Sequence, residues 1–170
     1  MFLSLDDTIT STMTTAIVPM AYTKDAHEKG DHTIERASYT YTGNNTKVHV
    51  VNNRNGKQRY DLIHEATGGV YDMVSIIYYA RTLDFSNAKK GDKKAVNFFS
   101  GRTKGAMNIV YQGTEKIKAN DGNHYNCIKL SMILQDDAFV SSEAMKVWLS
   151  NDANKIPVKI DSKLKVGSTQ

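Results

Sequence analysis

The chain has 170 residues, 40% of them hydrophobic and 24% charged, which suits one domain burying roughly 70% of its unfolded surface and excludes a disordered chain. Its formal charge of +4 is spread thinly: the densest basic group, Lys89, Lys90, Lys93 and Lys94, surrounds a Gly-Asp turn, so no nucleic-acid partner is expected. The single Cys127 excludes an intrachain disulfide and a cysteine-based metal site, and no stretch approaches the ~20 apolar residues of a spanning helix.

Nine tyrosines and long Thr, Val and Ile stretches suit a pleated, half-buried surface. They predict a mainly β fold: a single curved antiparallel sheet or half-barrel, laid down as a meander, with one short helix packed on it. Met1 opens directly into Phe-Leu-Ser-Leu-Asp-Asp, which reads as strand interior and predicts a trimmed chain without its native N-terminal segment and signal peptide. Residues 2–18 read as strand up to Pro19, and residues 20–31 as a polar connection. Ile34–Thr42, Thr46–Asn52 and Lys57–His64 then form a meander, turning at Gly43-Asn44-Asn45 and at Asn55-Gly56. An Asn-Gly pair is a strong hairpin signal because both positions need positive φ.

Gly68-Gly69 ends that pattern. From Tyr71 to Thr82 the apolar residues Met73, Val74, Ile76, Ile77 and Ala80 recur at helical spacing, and Asp72 is placed to cap the first turn. The helix is predicted over Asp72–Arg81, with Met73, Ile76, Ile77 and Ala80 inward. Strand signals resume at Ala95–Phe99, Thr103–Tyr111 (ending at Gly113), Thr114–Lys118, His124–Ile133, Ala144–Ser150 and Ile156–Val166. In the last of these Val158, Ile160, Ser162, Leu164 and Val166 alternate with polar residues, predicting one face over a core. No linker or repeat appears, so residues 1–170 read as one domain.

Chemistry is sparse. His27 and His32 lie five apart in the presumed loop with Glu28 and Asp31 between them; they read as solvated polar residues, and no metal is predicted. His64-Glu65 lacks the second histidine of a zinc-protease helix. No nucleophile elbow or phosphate loop is present. Cys127 sits in a strand as a small core hydrophobe, and His124, at an odd offset, faces the other way. No catalytic residue and no cofactor are assigned. A polar constellation remains: Asp72 and Arg81 at the helix ends, Glu115 in a strand, and Asp152 with Asn154 in the last hairpin. Arg81 is expected to pair with a strand carboxylate such as Glu115, and Asp152 and Asn154 to close their own turn. Several strands carry apolar side chains on both faces. Phe98, Ile133 and Trp148 therefore mark either packing beneath the helix or an apolar pocket.

The segments Tyr71–Thr82, Gly91-Asp92, Tyr111–Ile117, Tyr125–Lys129, Val147–Ile160 and Leu164–Ser168 resemble, in order, spacing and residue type, the bacterial family called domain of unknown function 3108. The resemblance covers Val70 to Ser168, with a looser fit before it. It implies an exported protein, periplasmic or facing the outer membrane, with a curved antiparallel sheet; no activity or catalytic residue comes with it. The expected function is non-catalytic binding of a hydrophobic or amphipathic, lipid-like molecule in the concave sheet. A structural module that interacts with envelope proteins or glycans is the alternative, and an enzyme acting on envelope polymers is a third reading.

Overall fold

The structure, a computed structural model, describes residues 5–135 and 142–162. It is mainly β with one short helix, as the composition predicts. The strands are shared between two sheets. The first is an antiparallel meander of β1 (Leu5–Met13), β2 (Pro19–Glu28), β3 (Asp31–Thr42), β4 (Asn45–Arg54) and β5 (Lys57–Thr67), in that spatial order. Then come β6 (Val70–Tyr71), α1 (Ser75–Arg81), β7 (Lys93–Ser100), β8 (Thr103–Lys118), β9 (His124–Gln135), β10 (Ser142–Ser150) and β11 (Pro157–Ser162). These strands form a second sheet, ordered β11-β10-β9-β8-β7-β6 and curled as a half-barrel. Among the described residues, 5–76 and 97–104 make one compact unit, and 77–96 with 105–162 another.

Residues 20–28, expected to be a polar connection, are strand β2. Their exposed face carries polar residues and only Tyr22 and Ala26 are buried apolar positions, so the alternation is almost silent in the sequence. The turn that follows is Lys29-Gly30, with φ of 50° and 86°, and it sets His27 directly opposite His32. At Asn55-Gly56 both φ values are positive, 50° and 75°, as the hairpin signature requires. Gly113 does not end a strand. With φ of 103° it sits at a register shift inside β8, where the β9 pairing passes from Tyr111 to Gly113; a residue with a Cβ is strained there, and the bulge lets the strand continue.

The expected apolar face of the last strand is only partly covered. β11 is an edge strand; Val158 is half-buried and Ile160 remains 48% exposed. Leu164 and Val166 lie outside the described residues.

The first unit is packed by alternate residues of its strands. Ala37 and Tyr39 of β3, Val48 and Val50 of β4, Tyr22 of β2, Val70 and Phe99 form one buried cluster. Each such Val or Phe contributes about 1.5–3 kcal/mol of burial. Tyr22 meets Phe99 edge-on at 5.7 Å, and Tyr39 meets it at 6.0 Å. Phe98 and Phe99 point to opposite faces of β7 and both are buried. The buried Glu35 carboxylate has partners: it accepts hydrogen bonds from Asn52 Nδ2, at 3.2 Å, and from the Tyr60 hydroxyl.

Asp72 is the cap the sequence predicts, and more. Its Oδ1 accepts from the amides of Val74 and Ser75, each at 2.9 Å, while its own amide donates to Ser75 Oγ at 2.9 Å. This reciprocal capping satisfies the orphan amides at the helix start. Oδ2 accepts from Ser11 Oγ of β1 and the Tyr39 hydroxyl of β3, both at 2.9 Å. The regular helix starts at Ser75, three residues after the cap, and Ile76, Ile77 and Ala80 are buried, as their spacing predicts.

Burial first, and then the neighbouring Asp72 carboxylate, holds the Tyr39 phenol far above its ordinary value of 10.0; burial with Glu35 and Asp72 does the same to Tyr22. Tyr60 is raised by burial and its bond to Glu35, and Tyr41, mainly by burial, to about 12. A phenol that keeps its proton in the folded state contributes stability below pH 10.0 that is lost as pH rises above it, because the unfolded chain ionises first. Spectrophotometric titration is therefore expected to show these four tyrosines un-ionised near pH ~11 while the fold persists, with alkaline unfolding releasing them together. Smooth ionisation of all nine near pH 10, with circular dichroism unchanged, contradicts this packing.

Candidate functional site

The second unit contains a recess of about 350 Å³. Three segments far apart in sequence build it: the loop after α1, the middle of β8 and β9, and the turn between β10 and β11. Helix α1 stops through a bond from the Leu83 amide to the Ala80 carbonyl, and the Asp84 carboxylate then takes the Ser86 amide at 2.9 Å to form a tight turn. That turn presents Phe85, whose ring stacks on Tyr111 of β8 with centroids 5.7 Å apart and planes 18° from parallel. Backbone bonds hold the loop on the strand: Gly91 N to Tyr111 O and Tyr111 N to Asp92 O, at 2.8 and 2.9 Å.

The opposite wall is the β10–β11 turn. Asp152 Oδ1 accepts from the amides of Asn154 and Lys155, at 2.8 and 3.2 Å, so Asp152 closes its own turn as expected. Lys155, at φ 46°, donates from Nζ to the Leu83 carbonyl at 2.8 Å and lies 5.9 Å from the Phe85 ring centroid. Thr114, Ile128, Ser86 and Asn151 complete the lining. Backbone amides donated by Ser86 and by Asn154 hold the carboxyls of Asp84 and Asp152 below the usual carboxylate value of 3.8, so both are ionised at neutral pH. Two carboxylates and one ammonium group belong to the lining. The lining offers an aromatic face, fixed acceptors and hydroxyl groups.

The structure brings some of the expected polar constellation to this place and disperses the rest. Asp152 lines the recess. Arg81 and Asn154 flank it, joined by a bond from Arg81 Nη2 to the Asn154 carbonyl at 3.0 Å. The expected Arg81–Glu115 pair is replaced by this contact, because Glu115 is engaged elsewhere. It accepts from Trp148 Nε1 and, at 3.2 Å, from Lys129 Nζ. Trp148 stands directly across from Lys129 on one side and Lys159 on the other, and their ammonium groups lie 5.4 and 5.0 Å from its ring centroid. Register alone therefore places an indole between two cations. Asp72 belongs to the first unit, in the cap described above.

Of the three apolar candidates, Phe98 is a buried residue of the first unit. Trp148 is buried in the Glu115 clamp, and Ile133 pairs with Glu143, four positions further along β9 than Lys129. None of the three lines the recess. Cys127 is fully buried, and burial pushes its thiol up, consistent with a core role. Asp84, Phe85, Tyr111 and Lys155 were not singled out from the sequence. The Asp-Phe-Ser-Asn turn just past the helix is the signal that could have pointed to them.

The whole chain, residues 1–170, matches the family described as protein of unknown function (DUF3108), and the chain belongs to that family. No curated protein and no solved structure matches it.

The Trp148 bond, more than any other contact, holds the Glu115 carboxyl below its ordinary 4.5. A depressed carboxylate contributes stability that is present above its unfolded value and lost as pH falls through the folded one. Emission of Trp148, the single tryptophan, is expected to stay constant down to pH 4.5 and to change only below it. Glu115→Gln should show the altered emission already at neutral pH. A transition in the parent well above 4.5 contradicts the clamp.

Proposed function

We propose that the protein is a non-catalytic binding protein of the bacterial cell envelope, and that the recess beside Phe85 and Tyr111 holds the polar head of an amphipathic ligand. The observation that carries this reading is the stacked aromatic pair set beside the fixed carboxylates of Asp84 and Asp152. Aromatic faces pack on the C–H surface of a ring, and carboxylates accept bonds from hydroxyls or cationic groups. A volume of about 350 Å³ is near the lower end for small-molecule sites and suits a sugar ring or headgroup, with the apolar remainder outside.

Chemical considerations favour binding over turnover. A general acid or base works best with a pKa near the operating pH, usually reached by raising a carboxyl; Asp84 and Asp152 are shifted the other way. The lining contains no histidine or cysteine to activate Ser86 or Thr114 as a nucleophile. Support for an envelope location comes from the family likeness. A periplasmic fraction containing the native protein agrees with it, and retention with a cytoplasmic marker overturns it.

Native mass spectrometry of protein purified from its own host is expected to show a bound molecule. Phe85→Ala and Tyr111→Ala should each remove it while circular dichroism is preserved. A bare parent mass, or an adduct undiminished in both variants, ends the proposal. A released molecule that is a free glycan, with no apolar part, replaces the amphipathic reading with a glycan-binding one.

A further inference from the structure

The β2–β3 hairpin carries a cluster unrelated to the recess. Asp25 and His27 are two apart on β2 and so share a face, and His32 of β3 stands directly opposite His27. Nε2 of His32 and Nε2 of His27 lie 2.8 and 3.5 Å from the same atom, Asp25 Oδ1. The two rings are parallel within 9° with centroids 4.0 Å apart. All three donor atoms fall within 4.8 Å of one another.

We propose that Asp25, His27 and His32 form a binding site for a divalent first-row transition metal ion, with Zn²⁺ as the fitting representative. Zn²⁺ bonds to imidazole nitrogen and carboxylate oxygen at ~2.0–2.2 Å, so adjacent donors of a tetrahedral site lie roughly 3.4 Å apart. The nitrogen–oxygen distances of 2.8 and 3.5 Å straddle that spacing, and small side-chain rotations suffice to close it. Two imidazoles and one carboxylate suit this class of ion rather than Ca²⁺ or Mg²⁺, which prefer all-oxygen sites. Three protein donors leave at least one coordination position for water or an external ligand.

The scaffold beneath the donors is fixed. The His32 amide donates to Asn55 Oδ1 at 2.9 Å, and its carbonyl accepts from the Asn55 amide at 2.8 Å. Asp31, between the histidines in sequence, is drawn to Arg54 and to Asn55 Nδ2, leaving the metal face to the other three. Side-chain exposures of 44% for Asp25, 56% for His27 and 42% for His32 leave the site open to ions from solvent. Only four residues separate His27 and His32 in sequence, so the spacing was visible, but a loop gave no reason for the rings to converge; strand pairing supplies it.

Isothermal titration of the untagged full chain with ZnCl₂ tests the site, with Co²⁺ absorption as a spectroscopic check. One ion per chain is expected. His27→Ala and His32→Ala should each weaken binding by about tenfold or more, and Asp25→Asn should weaken it too. Because Asp25→Asn hardly alters side-chain volume, it separates loss of a ligand from loss of fold. His49→Ala removes one partner of the exposed His49–Asp61 pair, which offers only two donors, and should leave the affinity unchanged. Parental affinity in His27→Ala and His32→Ala, or no saturable Zn²⁺ binding by the parent, overturns the proposal.

Discussion

A carboxylate buried to 1% exposure cannot be left without partners, and Asp72 is provided with four donors. Two are backbone amides at the start of α1, and two are hydroxyls reaching from β1 and β3. Within the first unit this residue fixes where the helix starts relative to the meander. Nearby groups adapt to it: the Tyr39 phenol keeps its proton partly because Asp72 would repel the phenolate, and Tyr22 responds to the same charge. Removing one partner from such a network leaves the remaining groups buried and unpaired, which costs more than the lost bond itself.

Much of this fold is legible in the residues. Asn55-Gly56 announces a two-residue turn because few other pairs accept two positive φ angles. The helical spacing of Ile76, Ile77 and Ala80 identifies the buried stripe, and Asp72 identifies its start. Other features are hidden for physical reasons. Beyond Pro19, β2 buries only Tyr22 and Ala26 among its apolar residues, so its period cannot be separated from that of a polar loop. Gly113 marks a bulge inside β8, whereas a glycine in sequence reads equally well as a strand end.

The candidate site was less accessible than the fold. Asp152 and its turn could be read locally, since Asp152 bonds to amides two and three residues away. The recess depends on Phe85 meeting Tyr111 and on Lys155 reaching the Leu83 carbonyl, contacts that span 26 and 72 positions. The Arg81–Glu115 pair failed as an expectation because Trp148 and Lys129, placed by strand register, hold Glu115 first. In the hairpin the same principle works in reverse: register brings together two histidines that a loop would have left apart.

A double-mutant cycle between Asp72 and Tyr39 tests the central interaction most directly. Urea unfolding of the parent, Asp72→Ala, Tyr39→Phe and the double variant gives the coupling free energy. Bonding across 2.9 Å in a buried site predicts a coupling of about 1–3 kcal/mol, with Asp72→Ala the more damaging single change because it also removes the helix cap. Additive effects, or an Asp72→Ala variant as stable as the parent, would contradict the account.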